Sequence, residues 1–134
     1  MKTSRLLSIT INALCAIGFA ASLAAAELND SDKQFLGNYE KVRAALAADD
    51  LAATKKVAGE LGDQGTAIAN SDKIADARKE FEKLSARALE LTKGQDGYYH
   101  AYCPMLKKDW VQTSKEISNP YAGSSMLTCG VIKK

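Results

Sequence analysis

Residues 74–91, IADARKEFEKLSARALEL, carry the strongest helical pattern in the sequence. Apolar residues recur in it at spacings of three and four, which places them on one face of an α-helix. These residues are Ile74, Ala77, Phe81, Leu84, Ala88 and Leu91. Ser71 or Asp72 is expected to cap the first turn, and Gly94 follows as a stop signal. The opposite face, which includes Arg78, is predicted to be solvated and to have no binding role.

Two weaker helical patterns precede this one. The first begins near Asp30 or Ser31, either of which is expected to cap it, and its apolar residues again recur at spacings of three and four: Phe35, Tyr39, Val42 and Leu46. Its other face, which includes Arg43, is predicted to be charged. The second begins at Leu51, after an Asp49-Asp50 turn in which either acid can cap it, and ends near Gly62. Residues 64–70 fit either a further helical turn or a loop.

Three short amphipathic helices with tight connections predict a mainly α fold, an up-down bundle of three helices, or of four if residues 64–70 form one. After Gly97 the helical period disappears. Extended structure is expected at 98–103, 110–112 and 126–132, a helical turn at 114–117, and a tight turn at 119–123. The C-terminal part is therefore expected to pack on the bundle as an extended or loop segment that includes a short β-hairpin.

Residues 1–26 have the pattern of a cleaved export signal. Lys2 and Arg5 precede an apolar run without acids at residues 6–23, and Ala24-Ala25-Ala26 supplies a peptidase site near Ala26. A membrane anchor is the alternative, because about 18 apolar residues approach the roughly 20 that span a bilayer. The signal predicts a periplasmic or secreted protein with no membrane attachment after cleavage. Residues 27–134 then form a single helical domain.

The charge of that domain is balanced. Every acidic residue of the sequence lies at or after Glu27, whereas Lys2 and Arg5 leave with the signal. Sixteen basic and sixteen acidic side chains remain. A chain without excess positive charge gives no support to nucleic-acid binding or to an electrostatic membrane surface.

Residues 98–131, YYHAYCPMLKKDWVQTSKEISNPYAGSSMLTCGV, form what we call the cysteine segment. The segment holds both cysteines of the domain, together with the only His, the only Trp and both prolines of the sequence. Cysteine and methionine sulfur are soft donors that favour Cu(I) or Ag(I). Cys103 and Met105 would share a face of an extended segment, and Met126 and Cys129 would meet in a turn. These four residues predict a soft-metal site, with His100 as an optional ligand.

Other interpretations of the same residues remain open. Cys103 and Cys129 can form a structural disulfide that pins the segment to the bundle and leaves a protein-interaction module without metal; they can also be inert thiols. Zinc held by Cys103, Cys129 and His100 is the competing metal site, although it gives the methionines no role. An enzyme is not expected, because no third group orients a Cys and His pair and no phosphate-binding or metalloprotease motif is present.

Four short motifs give the cysteine segment a resemblance to a known family. They are Tyr102-Cys103-Pro104-Met105, Trp110-Val111-Gln112, Ile117-Ser118-Asn119-Pro120-Tyr121-Ala122-Gly123 and Met126-Leu127-Thr128-Cys129-Gly130. Together they resemble domain of unknown function family 3347, found as small exported proteins and as C-terminal domains of periplasmic heavy-metal efflux adaptors. The resemblance implies a helical bundle, a copper or silver site, and an efflux adaptor or metallochaperone as partner.

Five residues are expected to support the site without binding metal. Trp110 and Tyr121 are predicted to cover the apolar side of the segment, with an aromatic face available to shield a bound ion. Asn119, Pro120 and Gly123 belong to the turn signal, in which Pro restricts φ and Gly leaves it free.

Overall fold

The structure is a computed structural model that describes residues 26–134, so the predicted export signal lies outside the described residues except for Ala26. Within these described residues, four α-helices precede a three-stranded antiparallel sheet, which confirms the predicted mainly α fold with a C-terminal hairpin. The elements are α1 (Asp30–Ala47), α2 (Leu51–Gly59), α3 (Thr66–Ala69), α4 (Ile74–Leu91), β1 (Tyr99–Cys103), β2 (Lys108–Gln112) and β3 (Val131–Ile132). No helix among the described residues has the length and apolar character needed to cross a membrane.

The helix starts follow the local hydrogen bonding and correct two expectations. The cap of α1 is Asn29, whose Oδ1 accepts the Asp32 N–H at 2.8 Å, and not Asp30 or Ser31. Asp50 caps α2 as predicted. Neither Ser71 nor Asp72 caps α4, because its N-cap position is Lys73, which makes no side-chain cap bond. The Ser71 hydroxyl instead donates to the Ala67 carbonyl at 3.0 Å.

Residues 62–69 are mostly helical, which decides a question that the sequence left open. A 3₁₀ turn over Gly62–Gln64 leads into α3, where Ile68 is 1% exposed. Gly65 joins the two pieces, and a Cβ there would overlap the Ala58 carbonyl. Only glycine permits this close approach to α2.

The bundle core is formed by the apolar faces that the sequence predicts. Tyr39 of α1 and Phe81 of α4 stack with ring centroids 5.0 Å apart at its centre. The buried residues of this core are Phe35, Leu36, Tyr39, Val42, Leu46, Ala58, Ile68, Ala77, Phe81, Leu84, Ala88 and Val111. Because Val111 belongs to β2, the sheet shares the core of the bundle.

The sheet has the order β2-β1-β3, with β1 in the centre. The edge strand β2 faces the helices, and its Val111 N–H donates to the Tyr39 hydroxyl at 3.0 Å. Tyr39 also shares a hydrogen bond with Ser85 at 3.1 Å, and burial raises its pKa. An α1 side chain therefore accepts one backbone N–H of the edge strand.

Two local expectations for the cysteine segment are wrong. Residues 114–117 form no helical turn, because the Gln112 side chain donates to the carbonyls of Ser114 and Glu116 at 2.6 and 2.8 Å. The expected extended run at 126–132 is reduced to β3, because the Cys129 N–H closes a turn on the Met126 carbonyl at 2.9 Å.

Candidate functional site

Cys103 is the last residue of β1, and its side chain is completely buried. The chain turns directly after it through residues 104–107, where Lys107 has a φ of 54°. This turn directs the backbone N–H groups of Met105 and Leu106 at the Cys103 sulfur. The prediction that Cys103 and Met105 share a face of an extended segment is wrong, since the strand ends at Cys103.

Cys129 lies beside Cys103 although it comes from a distant part of the segment. The turn that it forms with Met126 agrees with the three-residue spacing. β3 begins two residues later and pairs with β1 at Ala101 and Tyr102, which brings Cys129 back to the end of that strand. The two cysteines are hydrogen-bond partners and are not joined by a disulfide.

The pKa values of the two cysteines are shifted in opposite directions. Burial raises the pKa of the Cys103 thiol, but hydrogen bonds from Cys129, from the Leu106 and Met105 N–H groups and from Asn119 outweigh burial and lower that pKa. The Cys129 pKa is raised, first by its hydrogen bond to Cys103 and then by burial. Cys103 is therefore the first of the two thiols to lose its proton, and Cys129, which is half-buried, is the second.

The two methionines border this thiol pair, by which we mean Cys103 and Cys129. The Met105 N–H also hydrogen-bonds the Cys129 sulfur, while the Met105 side chain is 75% exposed. Met126 is half-buried, and its carbonyl accepts the Cys129 N–H. Both methionines are thus tied to the pair through the backbone, and the Met105 thioether extends into solvent.

His100 is not brought to the thiol pair. Alternate residues of a strand face opposite sides of the sheet, so His100 and Cys103 point away from each other. His100 Nε2 lies 2.6 Å from Asp109 Oδ1, which also accepts from Lys133 Nζ at 2.7 Å. Burial raises the Asp109 pKa, but Lys133 and His100 outweigh it and lower that pKa. These three residues line a cavity of about 500 Å³ beside the end of α4.

Trp110 packs against the thiol pair. Its ring is completely buried and forms a second apolar cluster with Ala101 and Cys103, with Cys129 at the margin. The indole Nε1 donates to the Gln112 side chain at 2.9 Å. A Cβ on Gly130 would lie 2.8 Å from the Trp110 ring, so glycine next to Cys129 allows the tryptophan to close over the sulfur atoms.

Asn119 joins the parts of the segment that carry the sulfur atoms. Its Nδ2 donates to the Cys129 carbonyl at 2.9 Å, and its side chain also hydrogen-bonds the Cys103 sulfur. Its Oδ1 accepts the Tyr121 N–H at 2.8 Å, and its own N–H donates to the Leu127 carbonyl at 2.8 Å. The residue is completely buried with these groups satisfied.

Tyr121 connects the predicted turn to the bundle. Its hydroxyl donates to Ser85 at 2.9 Å, and burial raises its pKa. Its ring lies 5.7 Å from Phe81 and 6.2 Å from Trp110, measured between centroids. The ring therefore lies between the bundle core and the cover of the thiol pair.

Two arginines hold this turn on the helices, and the sequence interpretation missed both. Arg43 donates to the Ser118 carbonyl at 2.8 Å, and Arg78 donates to the Pro120 carbonyl at 2.8 Å. The assignment of Arg78 to a solvated face without a binding role is wrong, because a main-chain carbonyl outside its own helix accepts its Nε–H. Arg43, which is predicted to lie on the charged face of α1, is likewise buried, with 7% of its surface exposed. Helix periodicity assigns faces, but it does not show which loop covers them.

The same turn is fixed at its far end by an acid. Asp49 Oδ2 accepts from both the backbone N–H and the hydroxyl of Ser124, at 2.9 and 2.6 Å, and its Oδ1 binds Arg78. Gly123 has a φ of 55°, and a Cβ there would overlap Asp49 and Arg78. Both the backbone angle and the space at this position require glycine.

The donors that converge in this structure are two cysteine sulfurs. Within residues 26–134, no three side chains of His, Cys, Asp and Glu are grouped so as to hold a metal ion, and the proposed zinc set of Cys103, Cys129 and His100 does not assemble. No family model, curated protein or solved structure matches the chain. The resemblance to family 3347 stays a prediction.

Proposed function

We propose that this protein is an exported protein that binds Cu(I) or Ag(I) through Cys103 and Cys129. Its role is metal buffering, delivery or efflux in the periplasm or outside the cell. The observation that supports the proposal is the adjacency of two free cysteine sulfurs that come from opposite ends of the cysteine segment. Thiolate sulfur is the donor that soft monovalent cations favour, and two such donors suffice for a two-coordinate ion.

The surroundings of the thiol pair favour a soft cation over a hard one. Backbone N–H groups of Met105 and Leu106 stabilise negative charge on the Cys103 sulfur. Hard cations such as Mg²⁺ require several oxygen ligands, and no cluster that supplies them exists in the described part of the chain. Binding replaces the proton shared between Cys103 and Cys129, so metal uptake releases protons and strengthens with rising pH.

Met126 is the additional donor that the fold favours, because it is half-buried and belongs to the same turn as Cys129. Met105 is 75% exposed, so its thioether must move to reach the pair. We propose that this exposed thioether contacts a partner that delivers or accepts the metal, such as a periplasmic efflux adaptor or a metallochaperone.

Titration of the purified, reduced protein with Cu(I) against a competing chelator tests this proposal. The double variant Cys103→Ser, Cys129→Ser is expected to lose at least about 100-fold in affinity, since both thiolates are removed. Met126→Leu should lose about tenfold, and Met105→Leu is the matched control that should bind like the unmodified protein. Equal binding by the double variant would refute the assignment.

The alternative function is a disulfide-pinned interaction module without metal, and the same adjacency of Cys103 and Cys129 favours it. In the chain-entropy picture, a disulfide closing that loop stabilises the fold by roughly 3 to 3.5 kcal/mol. Mass spectrometry of protein taken from the periplasm without reduction distinguishes the metal-binding function from the disulfide-pinned module. A pair of free or metal-bound thiols excludes the pinned module, whereas a uniform disulfide excludes a resident metal.

A further inference from the structure

We infer that Asn119 is the residue that positions the thiol pair, holding Cys103 and Cys129 where one ion can bridge their sulfur atoms. The inference rests on the proposed function, to which it adds a positioning residue that makes no bond to the metal. It is carried by the hydrogen bonds of a single buried side chain.

Pairing of β3 with β1 does not by itself fix Cys129. That pairing has only two registered residue pairs, Ala101 with Ile132 and Tyr102 with Val131. Cys129 lies outside the ladder, next to Gly130, whose backbone is permissive. A further restraint is therefore needed to keep its sulfur beside Cys103.

Asn119 supplies that restraint from both directions. One side-chain amide reaches both cysteines, through the Cys129 carbonyl at 2.9 Å and through the Cys103 sulfur. Its backbone N–H adds a bond to Leu127, two residues before Cys129. Because Asn119 is 0% exposed, no water can replace a lost donor without rearrangement of its surroundings.

The bundle in turn fixes Asn119. The carbonyl that precedes it, from Ser118, accepts from Arg43 of α1, and the carbonyl that follows it, from Pro120, accepts from Arg78 of α4. These two contacts hold Asn119 on both sides. The helices therefore determine the relative position of the sulfur atoms through one asparagine.

Asn119→Asp is the sharpest variant. Aspartate has the shape of asparagine and keeps Oδ1 for the Tyr121 N–H, so the turn is retained, but it has no N–H to donate to the Cys129 carbonyl or the Cys103 sulfur. Asn29→Asp is the matched control, because Asn29 is exposed and uses only Oδ1, to cap α1. Asn119→Ser is an uncharged second variant, which keeps a short turn-forming hydroxyl.

The experiment measures the equilibrium of the full chain with reduced and oxidised glutathione. In that exchange the two cysteine thiols reduce one glutathione disulfide to two glutathione thiols and become a disulfide themselves. After correction for the thiol ionisation measured in each variant, the equilibrium constant reports how closely the sulfur atoms are held, independently of any metal. Asn119→Asp and Asn119→Ser are each expected to lower it about tenfold, the effect of one hydrogen bond, while Asn29→Asp leaves it unchanged.

Cu(I) affinity, measured on the same variants, should fall by a similar factor. If the Asn119 variants unfold more readily but keep the glutathione equilibrium of the unmodified protein, Asn119 is only structural and the inference is overturned. If the unmodified protein fails to bind Cu(I), the proposed function falls, while the glutathione equilibrium still decides the role of Asn119. If Asn119→Asp does not fold, Asn119→Ser decides by the same criterion.

Discussion

The helical bundle and the cysteine segment are held together by different interactions. In the bundle, the contacts are between apolar side chains that recur at helical spacing, with Tyr39 and Phe81 stacked at the centre. In the segment, the buried side chains include the polar residues Gln112 and Asn119, which make specific hydrogen bonds. No buried side-chain nitrogen or oxygen in residues 26–134 lacks a partner.

This difference determines how well each region tolerates amino-acid substitutions. Apolar burial is non-directional, and cores accept substitutions that keep volume and pattern. A buried hydrogen-bonded group is less forgiving, because removal of one partner leaves the other without water or protein to bind. The stability of the bundle should therefore depend on changes in side-chain volume, and the stability of the segment on the loss of individual hydrogen-bond donors.

The largest expected effect comes from a side chain that contacts both regions. Phe81→Ala removes a fully buried ring that packs on Tyr39 of α1 and on Tyr121 of the segment. It should destabilise the protein by about 3–5 kcal/mol in urea unfolding. Helical circular dichroism and Trp110 fluorescence should change together, because the regions share a core. Two separate transitions would show that the segment opens independently.

A smaller loss is expected from the contact that attaches the segment to the bundle. Arg78→Met removes the donors to the Pro120 and Leu46 carbonyls and should cost about 2–3 kcal/mol. Lys83→Met is the control, because its ion pair with Glu80 is largely exposed and should contribute at most about 0.5 kcal/mol. Equal effects of the two variants would contradict the role given to Arg78.

Two glycines provide a matched comparison of the regions. Gly130→Ala places a Cβ 2.8 Å from the Trp110 ring and should destabilise by about 1–3 kcal/mol. Gly37→Ala, in the interior of α1 with nothing within 4 Å of the new Cβ, should stabilise by about 0.5–1 kcal/mol. Thermal unfolding of both variants checks the opposite signs. A stabilising Gly130→Ala would show that Trp110 does not close over Cys129 as described.

The smallest expected effect is a loss of stability at low pH that comes from Asp49. Hydrogen bonds from Ser124, and then Arg78, hold the Asp49 pKa below its ordinary value, so its contribution is present above about pH 4 and is lost as pH falls toward the folded-state pKa. Asp49→Asn should be slightly less stable than the unmodified protein at neutral pH, with the difference shrinking in acid. Urea unfolding between pH 7 and 2 measures it. A constant difference would mean that Asp49 acts only through its shape.

Helical periodicity made the bundle predictable. The faces that carry Phe35, Tyr39, Val42 and Leu46 in α1, and Phe81 and Leu84 in α4, are buried as the spacing indicates. The tight turn at 119–123 and the burial of Trp110 followed from residue types alone. These features depend on neighbours close in sequence, for which spacing is sufficient information.

The parts that escaped prediction depend on contacts distant in sequence. Nothing in the sequence around Arg78 indicates that the Pro120 carbonyl, 42 residues away, accepts its N–H. The absence of the expected helical turn at 114–117 is the exception, because its cause is local: the Gln112 side chain donates to the carbonyls of Ser114 and Glu116. The closeness of Cys103 and Cys129 was anticipated from chemistry, but Asn119, expected to form a turn, hydrogen-bonds both as well.

The hydrogen bond from the Val111 N–H to the Tyr39 hydroxyl has a consequence for solubility. An edge strand with free N–H groups can recruit a strand from another molecule and seed aggregation. Here β2 lies at one edge of the sheet, and a phenol from a helix occupies the Val111 N–H. Replacing Tyr39 with phenylalanine would therefore expose the chain to strand addition during folding at high concentration, in a protein whose fold is otherwise mainly helical.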